Sequence, residues 1–157
     1  MPELSHVHMD PEGPVPTVGD GLMLAELPAE ALDTFIDVAG AGGGHQLAAI
    51  ELIHLEGELG RARPENGALA SIPPKYTLVA GGFAPVPELA SALGVQVEAI
   101  KQALAPWAAP YMYLNFADTR RDSASFWEAQ AYRRLRRVKS AIDPGDLIRA
   151  NHPIPPA

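Results

Sequence analysis

The chain has 157 residues, 47% hydrophobic and 20% charged, with no cysteine and a formal net charge of −7. That length supports one domain able to bury roughly 68–70% of its unfolded surface, and the lack of thiols excludes a disulfide framework, a cysteine nucleophile and a cysteine-held metal. The charge is lopsided: all 12 Lys/Arg lie beyond residue 60, which disfavours polyanion binding by the chain as a whole.

Residues 1–24 carry Pro2, Pro11, Pro14 and Pro16 with three glycines, which predicts an extended lead-in rather than a helix or strand ladder. This segment lacks both the basic and the apolar regions of a signal peptide, and no run reaches the roughly 18 apolar residues of a membrane span. A soluble, cytoplasmic protein with neither nucleic-acid nor membrane partners is expected.

In "LPAEALDTFIDVAG", Leu32, Phe35, Ile36 and Ala39 share a helical face, and Gly40 stops the helix. Residues 46–55 read as a strand with two largely apolar faces, which calls for cover on both sides. A second strand is expected over Lys75–Phe83, between Pro73-Pro74 and the Gly81-Gly82 pair. A helix follows from Pro87 to about Leu104, with an interruption expected at Gly94, and Pro106 ends it. "YMYLNFAD", Tyr111–Asp118, alternates aromatic and apolar residues as a third strand would. A last helix spans about Ser125–Ala141, with Trp127, Ala131, Leu135, Val138 and Ile142 as its apolar stripe and four arginines on its flanks. The fold class is therefore α+β: a small, mostly antiparallel sheet with helices packed on one face.

The arginine-rich helix suits a phosphate surface, but four arginines beside a good apolar stripe in an acidic chain favour a solvated face or salt bridges to the acidic first half. His6 and His8 are spaced to point the same way on an extended chain, yet no cluster completes a metal shell, and no metal is expected. No G-x-S-x-G elbow, P-loop or G-x-G-x-x-G occurs, and "GAGGG" at Gly40–Gly44 lacks the strand-then-helix context of a phosphate cradle.

Three pieces stand in order near the C-terminus. They are Tyr113, Asn115, Phe116 and Asp118; then Tyr132, Leu135, Val138, Lys139, Asp143 and Pro144; then Asn151 and Ile154. This order and spacing resembles the C-terminal signature of the berberine-bridge-enzyme-like flavoproteins, a branch of the vanillyl-alcohol-oxidase-type FAD-linked oxidases. "HMDP", "ELPAEALD", "IELIHLEGELGR" and "ALAPWA" extend the resemblance upstream, although Glu56 stands where glycine is expected and Ile53 where arginine is frequent.

The resemblance implies a partial substrate-binding domain over 25–110 and a berberine-like segment over 111–157. The implied activity is FAD-dependent oxidation, by hydride transfer to flavin, of an alcohol, amine or sugar-type substrate. It further implies Tyr113 as the catalytic group, Asn115 and Asn151 as cofactor-binding residues, and Glu51 and His54 as substrate-binding residues. The family's FAD-binding domain has no counterpart in these residues. A truncated chain is expected, inactive alone, whose partners besides substrate are a separate FAD-binding domain or further copies of itself. The alternative is a non-catalytic remnant or small binding module that keeps the fold.

Overall fold

The computed structural model describes residues 17–40, 42–117 and 120–157, so His6, His8 and Asp118 lie outside the described residues. Three strands, β1 (Thr17–Leu24), β2 (Ala49–His54) and β3 (Tyr76–Phe83), form an antiparallel sheet in the order β1-β3-β2. Leu22, Leu78 and Leu52 are register partners across all three strands. Among the described residues, three α-helices complete the frame: α1 (Ala29–Ala39), α2 (Pro87–Leu104) and α3 (Ala129–Ile142).

The period of two along each strand divides the core. Leu22, Leu24, Ile50, Leu52, Tyr76 and Leu78 share the face covered by α2. The helix meets them with Leu93, Val97, Ile100 and Leu104, all buried at spacings of three and four. Helix α1 packs against α2: its Ala31 is buried, and its partly buried Phe35 and Val38 join the same cluster as Leu24, Leu78, Ile100 and Leu104. The opposite sheet face carries a smaller cluster of Met23, Leu55 and Ile72, closed by Tyr111 and Tyr113.

Several expectations are corrected. The lead-in ends earlier than residue 24: once the prolines stop at Pro16, Thr17–Leu24 takes the sheet edge as β1. Helix α2 runs unbroken through Gly94, whose absent side chain faces open space; its four buried positions outweigh the roughly 1 kcal/mol that glycine costs a helix. The 46–55 strand is not covered on both faces, since Ala49 and Glu51 are exposed. Nor does α3 lie on the sheet. No residue of α3 is buried, and its stripe of Leu135, Val138 and Ile142 instead faces Ile148, His152 and Ile154 of the C-terminal tail across an apolar groove of about 400 Å³. That tail forms no strand. No helix among the described residues is long and apolar enough to cross a membrane.

Candidate functional site

Tyr111–Phe116 is not the expected strand. The free edge of β1 is taken just upstream, where Ala25 donates to the Trp107 carbonyl at 3.0 Å and Ala109 to the Met23 carbonyl at 2.7 Å. Pro106 and Pro110 flank this short bridge and hold φ near −65°, well away from the roughly −140° of an antiparallel ladder, so pairing stops there. The chain then crosses the second sheet face and tightens into a 3₁₀ turn at Leu114–Phe116, closed by Phe116 donating to the Tyr113 carbonyl at 3.1 Å.

That turn, not strand alternation, brings Tyr113 and Asn115 together. The Asn115 amide donates to the Tyr113 hydroxyl at 3.2 Å. The Tyr113 ring is half-buried against Met23, Leu55 and Ile72 and meets Phe116 edge-on, with centroids 5.3 Å apart. Asn115 stands between two cavities. One, of about 160 Å³, is lined by aromatic and apolar groups that include Tyr111, Tyr113, Phe126 and Trp127. The other, of about 480 Å³, is open and more polar, and Asn115 shares its wall with Asn151 and His152. Burial, followed by the negative charge of Glu128, pushes the Tyr111 phenol above its ordinary value, so that it stays a neutral lining group.

Asn151 reaches this cavity because the tail is pinned twice. The Asp143 carboxylate closes α3 by accepting from Leu147 N at 2.8 Å, Ile148 N at 3.0 Å and Lys139 Nζ at 2.5 Å, which turns the chain back. Farther on, His152 Nε2 donates to the Ala117 carbonyl at 3.1 Å while Nδ1 accepts from Arg121 N at 3.4 Å, and its ring lies 4.7 Å from that of Phe126. His152 is thus a strut between the tail and the Asn115 turn.

The Lys139 ammonium and then the Leu147 and Ile148 amides hold the Asp143 carboxyl down to about 2 from its ordinary 3.8. A group depressed on folding stabilises the folded state above its unfolded pKa and loses that contribution as pH falls toward the folded one. Stability measured by denaturant melts is therefore expected to decline between about pH 4 and about pH 2, with Asp143→Asn removing part of this decline. An unchanged acid profile in the variant would show that the turn is held by other groups.

Glu51 and His54 lie on opposite faces of β2. His54 stacks on Tyr76 at 5.0 Å and bonds Glu56 at 2.9 Å in solvent. Glu51 borders a cavity of about 270 Å³ on the open sheet face, together with Val79 and Phe116. The floor there is nearly flat, because the cross-strand row Gly19–Gly81–Ala49 bears nothing larger than a methyl. The Asn115 turn is seated through Gly21: a Cβ there would lie 3.0 Å from Phe116 Cβ and 3.3 Å from the Leu78 carbonyl. Gly21→Ala is expected to cost about 1–3 kcal/mol and to shift the Phe116 and Asn115 resonances in an NMR spectrum.

A partly buried junction absent from the sequence pattern supports the same region. Asp20 accepts from Lys101 of α2 at 2.7 Å and from the Arg121 guanidinium, joining positions 81 and 101 residues distant in sequence. Nothing local announces such a contact. Among the described residues no three His, Asp or Glu side chains gather as metal ligands.

Residues 112–155, which hold Tyr113, Asn115, Asp143 and Asn151, match the family described as "Berberine and berberine like". Among solved structures, a chitooligosaccharide oxidase is similar at a TM-score of 0.70 and 16% identity, over 90% of this chain and 33% of that one. The chain thus spans about a third of that oxidase's length. No curated protein matches the chain. The resemblance drawn from the C-terminal motif therefore holds: this chain carries a berberine-like segment on an α+β fold shared with part of an oxidase.

Proposed function

We propose that these residues form the substrate side of an FAD-linked oxidoreductase, with the flavin-binding domain supplied by sequence outside them or by a separate chain. One observation carries this reading: within the berberine-like segment, Tyr113 and Asn115 are hydrogen-bonded, and Asn115 and Asn151 border one cavity.

The donor set fits a flavin ring and not its phosphates. Two asparagine amides and a phenol offer donors and acceptors to the polar edge of a planar heterocycle, beside aromatic walls. A pyrophosphate needs clustered backbone N–H groups or free cations. Neither Asn115 cavity is lined by a Lys or Arg, and Lys101 and Arg121 are both spent on Asp20. When bound, a flavin supplies the hydride acceptor.

The chain's own part is orientation and proton handling. Tyr113 accepts from Asn115 and so keeps its O–H to donate to a substrate oxygen or nitrogen. The same amide stabilises negative charge on the phenol oxygen if its proton leaves. The aromatic cavity holds the less polar part of the substrate, an alcohol, amine or sugar-type molecule, and excludes water from it. Glu51 and the flat Gly19–Gly81–Ala49 floor would contact substrate from the sheet, whereas His54, on the other face, is assigned no contact.

Isolation from the native host under mild conditions tests this function. Co-purification of flavin, with its visible absorbance bleached anaerobically by a sugar, alcohol or amine, is the expected result. A chain recovered without flavin in any associated species would instead favour the non-catalytic remnant.

A further inference from the structure

Two exposed helix faces carry opposite charges and matching apolar borders. On α1, Glu30, Asp33 and Asp37 point outward beside Leu32 and Ile36, which are 42% and 56% exposed. On α3, Arg133, Arg134 and Arg137 point outward beside Val138 and Ile142, which are 51% and 75% exposed. Among the described residues, none of these three carboxylates and none of these three guanidiniums enters an ion pair.

The charge cannot be balanced locally on α1, since no Lys or Arg occurs in the first 60 residues. The faces also match in order. At about 100° per residue, turning in one sense passes from Leu32 and Ile36 to the acids on α1, and from the arginines to Val138 and Ile142 on α3. Laid parallel, the helices set apolar residue on apolar residue and carboxylate on guanidinium.

We propose that α1 of one copy docks on α3 of another copy of this chain. Each copy presents both faces, so the contact is heterologous and builds a ring or an open chain according to whether its rotation closes. One helix pair is a small interface for a stable complex, so association is weak and set by concentration. Steering by opposite charges makes it sensitive to salt. This goes beyond the flavin-linked function and does not depend on it, because neither helix face lines the Asn115 cavities.

Sedimentation of the full chain tests the contact. The wild-type mass is expected to rise with concentration at about 0.15 M salt, and much less at about 1 M, where the Debye length falls from about 8 Å to about 3 Å. Arg134→Glu/Arg137→Glu and Asp33→Arg/Asp37→Arg are each expected to stay at monomer mass, and their equimolar mixture to associate again, since one variant then offers two acidic faces and the other two basic ones. A monomeric wild type, a reversal without effect, or a mixture that stays monomeric would each overturn the proposal. Circular dichroism checks folding. If Asp33→Arg/Asp37→Arg does not fold, Asp33→Asn/Asp37→Asn takes its place, and undiminished association of that variant would equally defeat the idea.

Discussion

Leu104→Ala is expected to destabilise the protein by about 3 kcal/mol, within the 2–5 kcal/mol typical of such truncations in a core. Leu104 is fully buried at the end of α2, packed with Leu24, Leu78 and Ile100 where helix meets sheet. The loss has two parts, the transfer free energy of the removed carbons and the cavity left among neighbours that cannot collapse. Leu24 and Leu78 are fixed by the β1–β3 ladder, and Trp107 is held by the bridge from its carbonyl to Ala25, so little relaxation is available. For a domain of this size the midpoint temperature should fall by roughly 6–12 °C. Val95→Ala, at a position 69% exposed on the same helix, should change stability by less than about 0.5 kcal/mol. Comparable losses from the two substitutions in thermal melts would mean that α2 does not cover the sheet as described.

Helix α2 also shows what the sequence makes readable. Its apolar spacing, its proline start and the proline after its end are properties of neighbouring residues, and they fix an element and its buried face. The same holds for β2, β3 and α1. What could not be read rests on contacts between distant segments. The alternation of Tyr111–Phe116 is as good as any strand's, but the edge it would need is already taken by Trp107 and Ala109, a fact of three-dimensional placement. Strand β1 was obscured by prolines that stop just before it, and its ladder depends on β3, some 60 residues downstream. Similarly, α3 has a clean stripe, yet a stripe does not specify what it packs against. Two residues apart, Tyr113 and Asn115 would share one face of a strand; their hydrogen bond to each other arises only through the 3₁₀ turn. The Asp20, Lys101 and Arg121 junction and the His152 strut had no signal, because each joins groups that only the fold brings near.

Under the proposed flavin-linked function, Tyr113→Phe is expected to lower kcat/KM by about 10²–10⁴, the usual contribution of a positioned acid or base. The substitution removes one oxygen and keeps the ring, so the edge-on contact with Phe116 and the packing on Met23, Leu55 and Ile72 persist and stability should hold. Asn115 then loses its acceptor. Its amide is exposed and can turn to water, so leaving it unpaired costs little. Asn115→Ala tests the pair from the other side. It leaves the phenol in place but strips the donor that stabilises charge on its oxygen, and a net hydrogen bond of about 1 kcal/mol corresponds to a loss of roughly fivefold. If Tyr113 handles the substrate's proton, the two effects are not additive: in the Tyr113→Phe background, Asn115→Ala should cost much less than it does alone. Independent effects would indicate that the two residues touch different parts of the substrate or cofactor, and an unaffected Tyr113→Phe enzyme would remove the phenol from the chemistry altogether. The pH dependence of kcat/KM separates the remaining case. A phenol that only orients substrate leaves the profile unchanged when it is lost, whereas one that exchanges the proton takes an ionisation with it.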